Sequence, residues 1–201
     1  MKLVLASKNE HKLKEMQDIL SALGVEVVLE RDVGVDVDVE ETGETFEENA
    51  YLKASAVMRA SGLPAVADDS GLCVSGMNGG PGVYSARFGG EGLTDPERCT
   101  LLLDMMRGQL DRSCKFVSAI CCCFPDGTKV TAYGECKGTL AYAPKGQDGF
   151  GYDPIFFVPG EKKTFAELTP EEKNAISHRG IALREFARLL AEKVAADGKE
   201  N

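Results

Sequence analysis

Leu63-Pro64-Ala65-Val66-Ala67-Asp68-Asp69-Ser70-Gly71-Leu72 is the stretch around which the chain is organised. Its apolar run is too short for a helix and is released by Gly62 and Pro64, so it predicts a buried strand that stops at two adjacent carboxylates. In an α/β sheet the ligand crevice lies at the carboxyl ends of the strands, which makes Asp68, Asp69 and Ser70 candidates for chemistry. The alternative is an acidic turn that only caps the next segment, since Asp, Ser and Gly are ordinary turn residues.

Upstream, Lys2 to Ala6 reads as a first strand. The polar turn Ser7-Lys8-Asn9-Glu10-His11-Lys12 comes next, then a helix with Leu13, Met16, Ile19, Leu20 and Leu23 at helical spacing, closed by Gly24. A helix start beside a strand end collects unpaired N–H groups and the positive end of the dipole. Ser7, Lys8, Asn9 and Lys12 add hydroxyl, amide and ammonium groups, so the turn suits phosphate. It has neither the P-loop nor the dinucleotide glycine pattern, and a capped surface helix with solvated lysines is the alternative.

Val25 to Leu29 predicts a second strand, and Asp36, Asp38, Glu40, Glu41 and Glu44 make an acidic loop around Gly43. Thr45 and Glu48 form a capping box for a helix with Phe46, Ala50, Ala54 and Val57 on its apolar side. Asn49 and Lys53 share a face of that helix. They could reach a ligand that the acids hold through a metal; otherwise Lys53 is a solvated lysine.

Downstream, Leu72 to Val74 reads as a short strand, and Gly76 to Gly92 as a glycine-dense crossover in which Arg87 suits an anion or a partner subunit. Thr94 and Glu97 cap a helix to about Arg107. Cys114 to Phe124 and Lys129 to Lys137 form a hairpin over Pro125-Asp126-Gly127-Thr128. Gly149-Phe150-Gly151-Tyr152-Asp153-Pro154 leads into the strand Ile155 to Val158. Two aromatics between glycines suit a flat base that stacks on a ring, the alternative being a turn with core aromatics. Thr169-Pro170 with Glu172 starts a last helical region that includes Lys173 and breaks at Ser177-His178-Arg179-Gly180. It resumes from Ile181 to Val194 and ends in a polar tail, Asp197 to Asn201.

With 201 residues, 27% charged and 43% hydrophobic, the chain fits one globular domain, 1–201, with no independent second domain. The net charge of −9 argues against a nucleic-acid polymer as partner, though a small anion with a divalent cation remains compatible. The apolar start is too short for a signal peptide or a membrane span, which implies a cytoplasmic protein without membrane contact. The seven cysteines lack C-x-x-C spacing and read as reduced core thiols. Cys121-Cys122-Cys123 cannot converge on one ion, because consecutive strand side chains point to opposite faces. Lysines and arginines at turns, acids able to hold magnesium and an aromatic glycine loop point to water attack on a nucleotide phosphate.

Six motifs stand in order: Ser7-x-Asn9-x-x-Lys12, Glu40-Glu41-Thr42-Gly43-x-Thr45-Phe46-x-Glu48-Asn49-Ala50, Ala67-Asp68-Asp69-Ser70-Gly71-Leu72, Pro81-Gly82-Val83-Tyr84-Ser85-Ala86-Arg87, Gly149-Phe150-Gly151-Tyr152-Asp153-Pro154 and Ser177-His178-Arg179-Gly180. Together, from about residue 2 to residue 195, they closely resemble the inosine triphosphate pyrophosphatase family, in particular its bacterial house-cleaning members. The resemblance implies an α/β fold with an elongated mixed sheet flanked by helices, two lobes and the active site in the cleft between them. It implies hydrolysis of non-standard purine nucleoside triphosphates (ITP, dITP, XTP) to the monophosphate and pyrophosphate, with Mg2+, in a homodimer. Carried onto this chain, Ser7, Lys8, Asn9, Glu10, His11 and Lys12 hold the triphosphate with Lys53. Glu40 or Glu41 with Asp68 or Asp69 hold magnesium, and Asp69 orients and deprotonates the water beside Asp68. Ser70 and Lys173 contact the substrate; Phe150, Gly151, Tyr152 and Asp153 enclose the base; His178 and Arg179 read its keto edge. Ser7-Lys8-Asn9 departs from the Thr-Gly-Asn of many members and adds a charge near the phosphates. A pyrophosphatase for another modified nucleotide and a non-hydrolytic nucleotide sensor are the alternatives.

Overall fold

Three fully buried side chains, Leu3, Val4 and Leu5, fix β1 (Lys2–Leu5) in the core. Asn9 caps α1 (Glu10–Leu20), and a 3-10 turn then ends at Gly24, whose φ of +67° makes the left-handed stop that the sequence predicts. β2 (Glu26–Leu29) runs parallel to β1 with Leu3 opposite Val27. The acidic segment is loop up to Thr45, which joins Glu48 in the expected capping box of α2 (Phe46–Ser61).

β3 (Ala65–Val74) differs from the expectation. One ten-residue strand runs straight through Asp68, Asp69 and Ser70 instead of stopping at the carboxylates and restarting at Leu72. Acids are tolerated inside a buried strand here because cations from other elements, Lys12, Lys53 and Arg179, compensate them.

The remaining elements are α3 (Asp95–Met105), β4 (Ser113–Cys123), β5 (Lys129–Leu140), β6 (Phe156–Val158), β7 (Lys163–Thr164), α4 (Pro170–Ile176) and α5 (His178–Asp197). β7 has only two residues and no sequence signal. The seven strands form one sheet in the order β2-β1-β3-β4-β5-β6-β7. β1 pairs in parallel with β2 and β3, whereas β6 pairs antiparallel with β5 and β7, so the sheet is mixed and the fold is α/β.

This computed structural model describes residues 1–198, so the last three residues of the expected polar tail lie outside the described residues. The chain divides into two compact units. The first comprises Met1–Asp69, Ser118–Gly134 and the chain from Arg179 onward; the second comprises Ser70–Val117 and Glu135–His178.

Within the first unit, α1 and α5 cover one apolar cluster through Met16, Leu20, Leu183 and Phe186, and α2 covers another through Ala50, Ala54 and Val57. Strand alternation puts Cys122 in the former cluster and Cys121 and Cys123 in the latter. The second unit packs around Phe116, Phe156 and Phe165. All seven cysteines are free.

Candidate active site

Asp68 is 2% exposed and surrounded by donors. Lys12 Nζ lies 2.7 Å from its Oδ1 and donates to its backbone carbonyl at 3.0 Å. Arg179 donates from Nε to Oδ2 and from Nη2 to Oδ1, both at 3.3 Å, and Ser118 Oγ donates to Oδ2 at 2.6 Å. Glu15 holds the other end of the guanidinium, accepting from Arg179 Nη1 at 2.8 Å. Two cations thus face two carboxylates. Burial would push the Asp68 carboxyl up, but Arg179 and Lys12 together outweigh it and hold the carboxyl well below its usual range. Burial lowers the Lys12 ammonium.

Asp69 belongs to a second cluster. Lys53 Nζ donates to Asp69 Oδ1 at 2.7 Å, to Glu41 Oε1 at 2.8 Å and to the Asp68 carbonyl at 3.2 Å. One ammonium thus faces two carboxylates. Asp69 Oδ2 is buried and has no hydrogen-bond partner. Burial raises the Asp69 carboxyl, with Lys53 opposing. Asn49, on the same helix as Lys53, fixes the acidic loop by accepting from the Gly43 N–H at 2.8 Å. A Cβ on Gly43 would sit 2.7 Å from both Asn49 Oδ1 and Glu48 Cβ, so this close approach requires glycine.

Of the four acids expected around a metal, Glu41 and Asp69 therefore meet at one lysine. Asp68 has both oxygens engaged by Lys12, Arg179 and Ser118, and Glu40 is exposed in the loop. Among the described residues no three His, Cys, Asp or Glu side chains are grouped to hold an ion.

The Ser7 to Lys12 turn is also more committed than its sequence suggests. Asn9 Oδ1 accepts from the N–H groups of His11 and Lys12 at 2.9 and 3.3 Å, and Ser7 Oγ accepts from Asn9 N–H. A phosphate at this helix start competes with the Asn9 side chain for the same donors. Glu10 pairs with Arg31 and Lys8 with Asp36, both pairs on the surface.

In the second unit Asp153 organises the aromatic loop. Its Oδ2 accepts from Lys173 Nζ at 2.6 Å and from the Phe150 N–H at 2.9 Å. The Lys173 ammonium lies 4.9 Å from the Phe150 ring centre. Lys173 thus helps to hold the loop. The Gly151 N–H donates to Asp95 Oδ2 at 2.7 Å, and Tyr152 Oη donates to the Ser85 carbonyl at 2.7 Å. His178 stacks on Phe116 with ring centres 4.6 Å apart and planes 12° from parallel. Ser70 comes after Asp69 on β3 and is half-buried. Arg87 lies over the Tyr84 ring at 5.3 Å.

Glu15, Ser118 and Asp95 escape the sequence reading. Glu15 stands three residues after Lys12 on α1, a spacing that puts both on one helix face. Ser118 is the one hydroxyl in the apolar run Phe116 to Phe124 and is fully buried, which is itself a signal. Asp95 resembles an ordinary first-turn acid of α3. Because Asp95 holds the loop through one hydrogen bond, Asp95→Ala is expected to raise the nucleotide KM about fivefold, equivalent to about 1 kcal/mol, with kcat nearly unchanged. Steady-state kinetics check this, and an unchanged KM would remove Asp95 from loop positioning.

The sequence model of the Ham1 family matches residues 3–189. The dITP/XTP pyrophosphatase of Desulfotalea psychrophila is 46% identical over 92% of this chain and 82% of its own length. That of Streptomyces coelicolor is 48% identical over 95% of this chain and 98% of its own. Among solved structures, a HAM1 protein from Coxiella burnetii superposes with a TM-score of 0.90 at 43% identity, covering 96% of this chain and 99% of that one. Sequence and architecture agree across nearly the whole length, and the chain belongs to the Ham1 family.

Proposed function

We propose that the chain is a Mg2+-dependent nucleoside triphosphate pyrophosphatase that hydrolyses ITP, dITP and XTP to the monophosphate and pyrophosphate. The observation that carries this is the Lys53 cluster, where Glu41 and Asp69 converge on one ammonium and the buried Asp69 Oδ2 has no hydrogen-bond partner. Such a place fits a hard cation. Glu41 and Asp69 would hold Mg2+, which usually binds through one or two carboxylates plus substrate phosphates. Bound there, it would neutralise charge on the phosphate oxygens.

Asp69 takes the proton of the attacking water, and Lys53 and Lys12 stabilise the charge that develops as pyrophosphate leaves. The Ser7 to Lys12 turn receives the distal phosphates. Asp68, tied to its own cations, keeps Asp69 in register on β3. Phe150, Gly151, Tyr152 and Asp153 enclose the base. His178 and Arg179 donate to its 6-keto oxygen, Arg179 exchanging a carboxylate bond to do so. Such donors meet an amino group in adenine and are left unpaired, which rejects ATP. The relatives named dITP/XTP pyrophosphatase support the substrate class.

The test is pyrophosphate release with Mg2+ from ITP, XTP, GTP, ATP and dTTP at equal concentration. Fast release from ITP and XTP, little from ATP and GTP, and loss on chelation are expected. Preferential release from dTTP would point to a different base. Inert triphosphates with retained ITP binding would indicate a sensor. A homodimer in the cytoplasm belongs to the same proposal, and sedimentation velocity reads the dimer.

A further inference from the structure

The proposed hydrolysis uses none of the cysteines. Cys121 and Cys123, two apart on β4, share the sheet face beneath α2 with their sulfurs 3.9 Å apart. They are 1% and 4% exposed and belong to a cluster with the small side chains Ala50, Ala54, Ala65 and Ala67. The two sulfurs are within hydrogen-bond reach and either can donate, so the S–H of one supports a thiolate on the other, while Lys129 and Arg59 favour the charged form. One thiol of the pair is therefore poised to ionise first.

We propose that Cys121 and Cys123 form a dithiol site for a thiophilic divalent cation of the zinc and cadmium kind. Two zinc–thiolate bonds of about 2.3 Å at a tetrahedral angle span about 3.8 Å, which matches the 3.9 Å between these sulfurs. A dication with two thiolates is neutral, so it enters an apolar cluster without burying net charge. Binding displaces both thiol protons, M2+ + 2 RSH → M(SR)2 + 2 H+. Soft sulfur ligands discriminate against Mg2+, which takes oxygen. Among the described residues no third His, Cys, Asp or Glu side chain joins the pair, so the protein supplies two thiolates.

Cd2+ titrated into the reduced full-length protein, with Mg2+ in excess, is the experiment. A thiolate-to-metal charge-transfer absorption that saturates at one ion per chain, with proton release, is expected. Cys121→Ala and Cys123→Ala should each abolish it, whereas Cys122→Ala, on the opposite face, and Cys73→Ala should leave it intact. No absorption in the unaltered protein, or absorption that survives both substitutions, overturns the proposal. Far-UV circular dichroism identifies a variant that fails to fold. A readout without variants is phenylarsine oxide, which needs two neighbouring thiols. It should protect Cys121 and Cys123 together from alkylation, as read by peptide mass, and alkylation of both at saturating reagent overturns the site.

Discussion

Asp69→Asn is expected to lower kcat by about 10²–10⁴-fold, the range for loss of a positioned general base. Asparagine keeps the shape and can still accept from Lys53, which donates to Asp69 Oδ1 at 2.7 Å. It cannot take a proton from water, and it offers a cation no charge. Nucleotide affinity, measured by calorimetry without turnover, should stay within about threefold because the phosphate and base contacts lie on other residues. This variant removes one of the two carboxylates that meet at Lys53, so the Mg2+ requirement should shift to higher concentration. Near-normal turnover would remove Asp69 from the chemistry and pass the role of base to Glu41, the other carboxylate on Lys53.

Asp68→Asn should act on stability first. The substitution leaves the buried Arg179 and the half-buried Lys12 facing a neutral amide whose own N–H groups compete with them. Breaking one partner of a buried ion pair costs about 3–5 kcal/mol, which for a chain of this size lowers Tm by roughly 10 °C. The pH dependence has a definite sign. The folded-state Asp68 carboxyl is depressed, so its contribution is fully present above the ordinary Asp pKa of about 3.9 and is lost as pH falls through the folded value. The gap in stability between the unaltered protein and Asp68→Asn should therefore narrow below about pH 4. Thermal melts at pH 7 and pH 3 measure this, and a gap that widens in acid would contradict the assignment. Glu15→Gln offers a milder comparison, because it loosens Arg179 and leaves Asp68 paired.

Local rules carried much of the way to this site. The capping boxes at Thr45, Thr94 and Thr169 and the left-handed stop at Gly24 depend on neighbours within a few residues, and each was legible from the sequence. The break before α5 was legible too, but not its extent: only Ser177 separates α4 from α5, and His178, Arg179 and Gly180, expected in the break, already belong to α5. The path of β3 was not legible, because Asp-Asp-Ser-Gly is turn chemistry by local propensity and only distant cations make it strand.

The sequence by itself determined the α/β class, most of the element order and, through its six motifs, the family, and it named the acids and lysines of the site only as candidates. Only the tertiary structure decided how those charges divide. Asp68 takes Arg179 from 111 residues away and Ser118 from 50, while Asp69 takes Lys53 from 16 and shares it with Glu41. Two adjacent carboxylates on a strand point to opposite faces. Which cations meet each face depends on strand order and on where α1, α2 and α5 are laid down. That is a matter of global packing, which a short-range pattern does not encode.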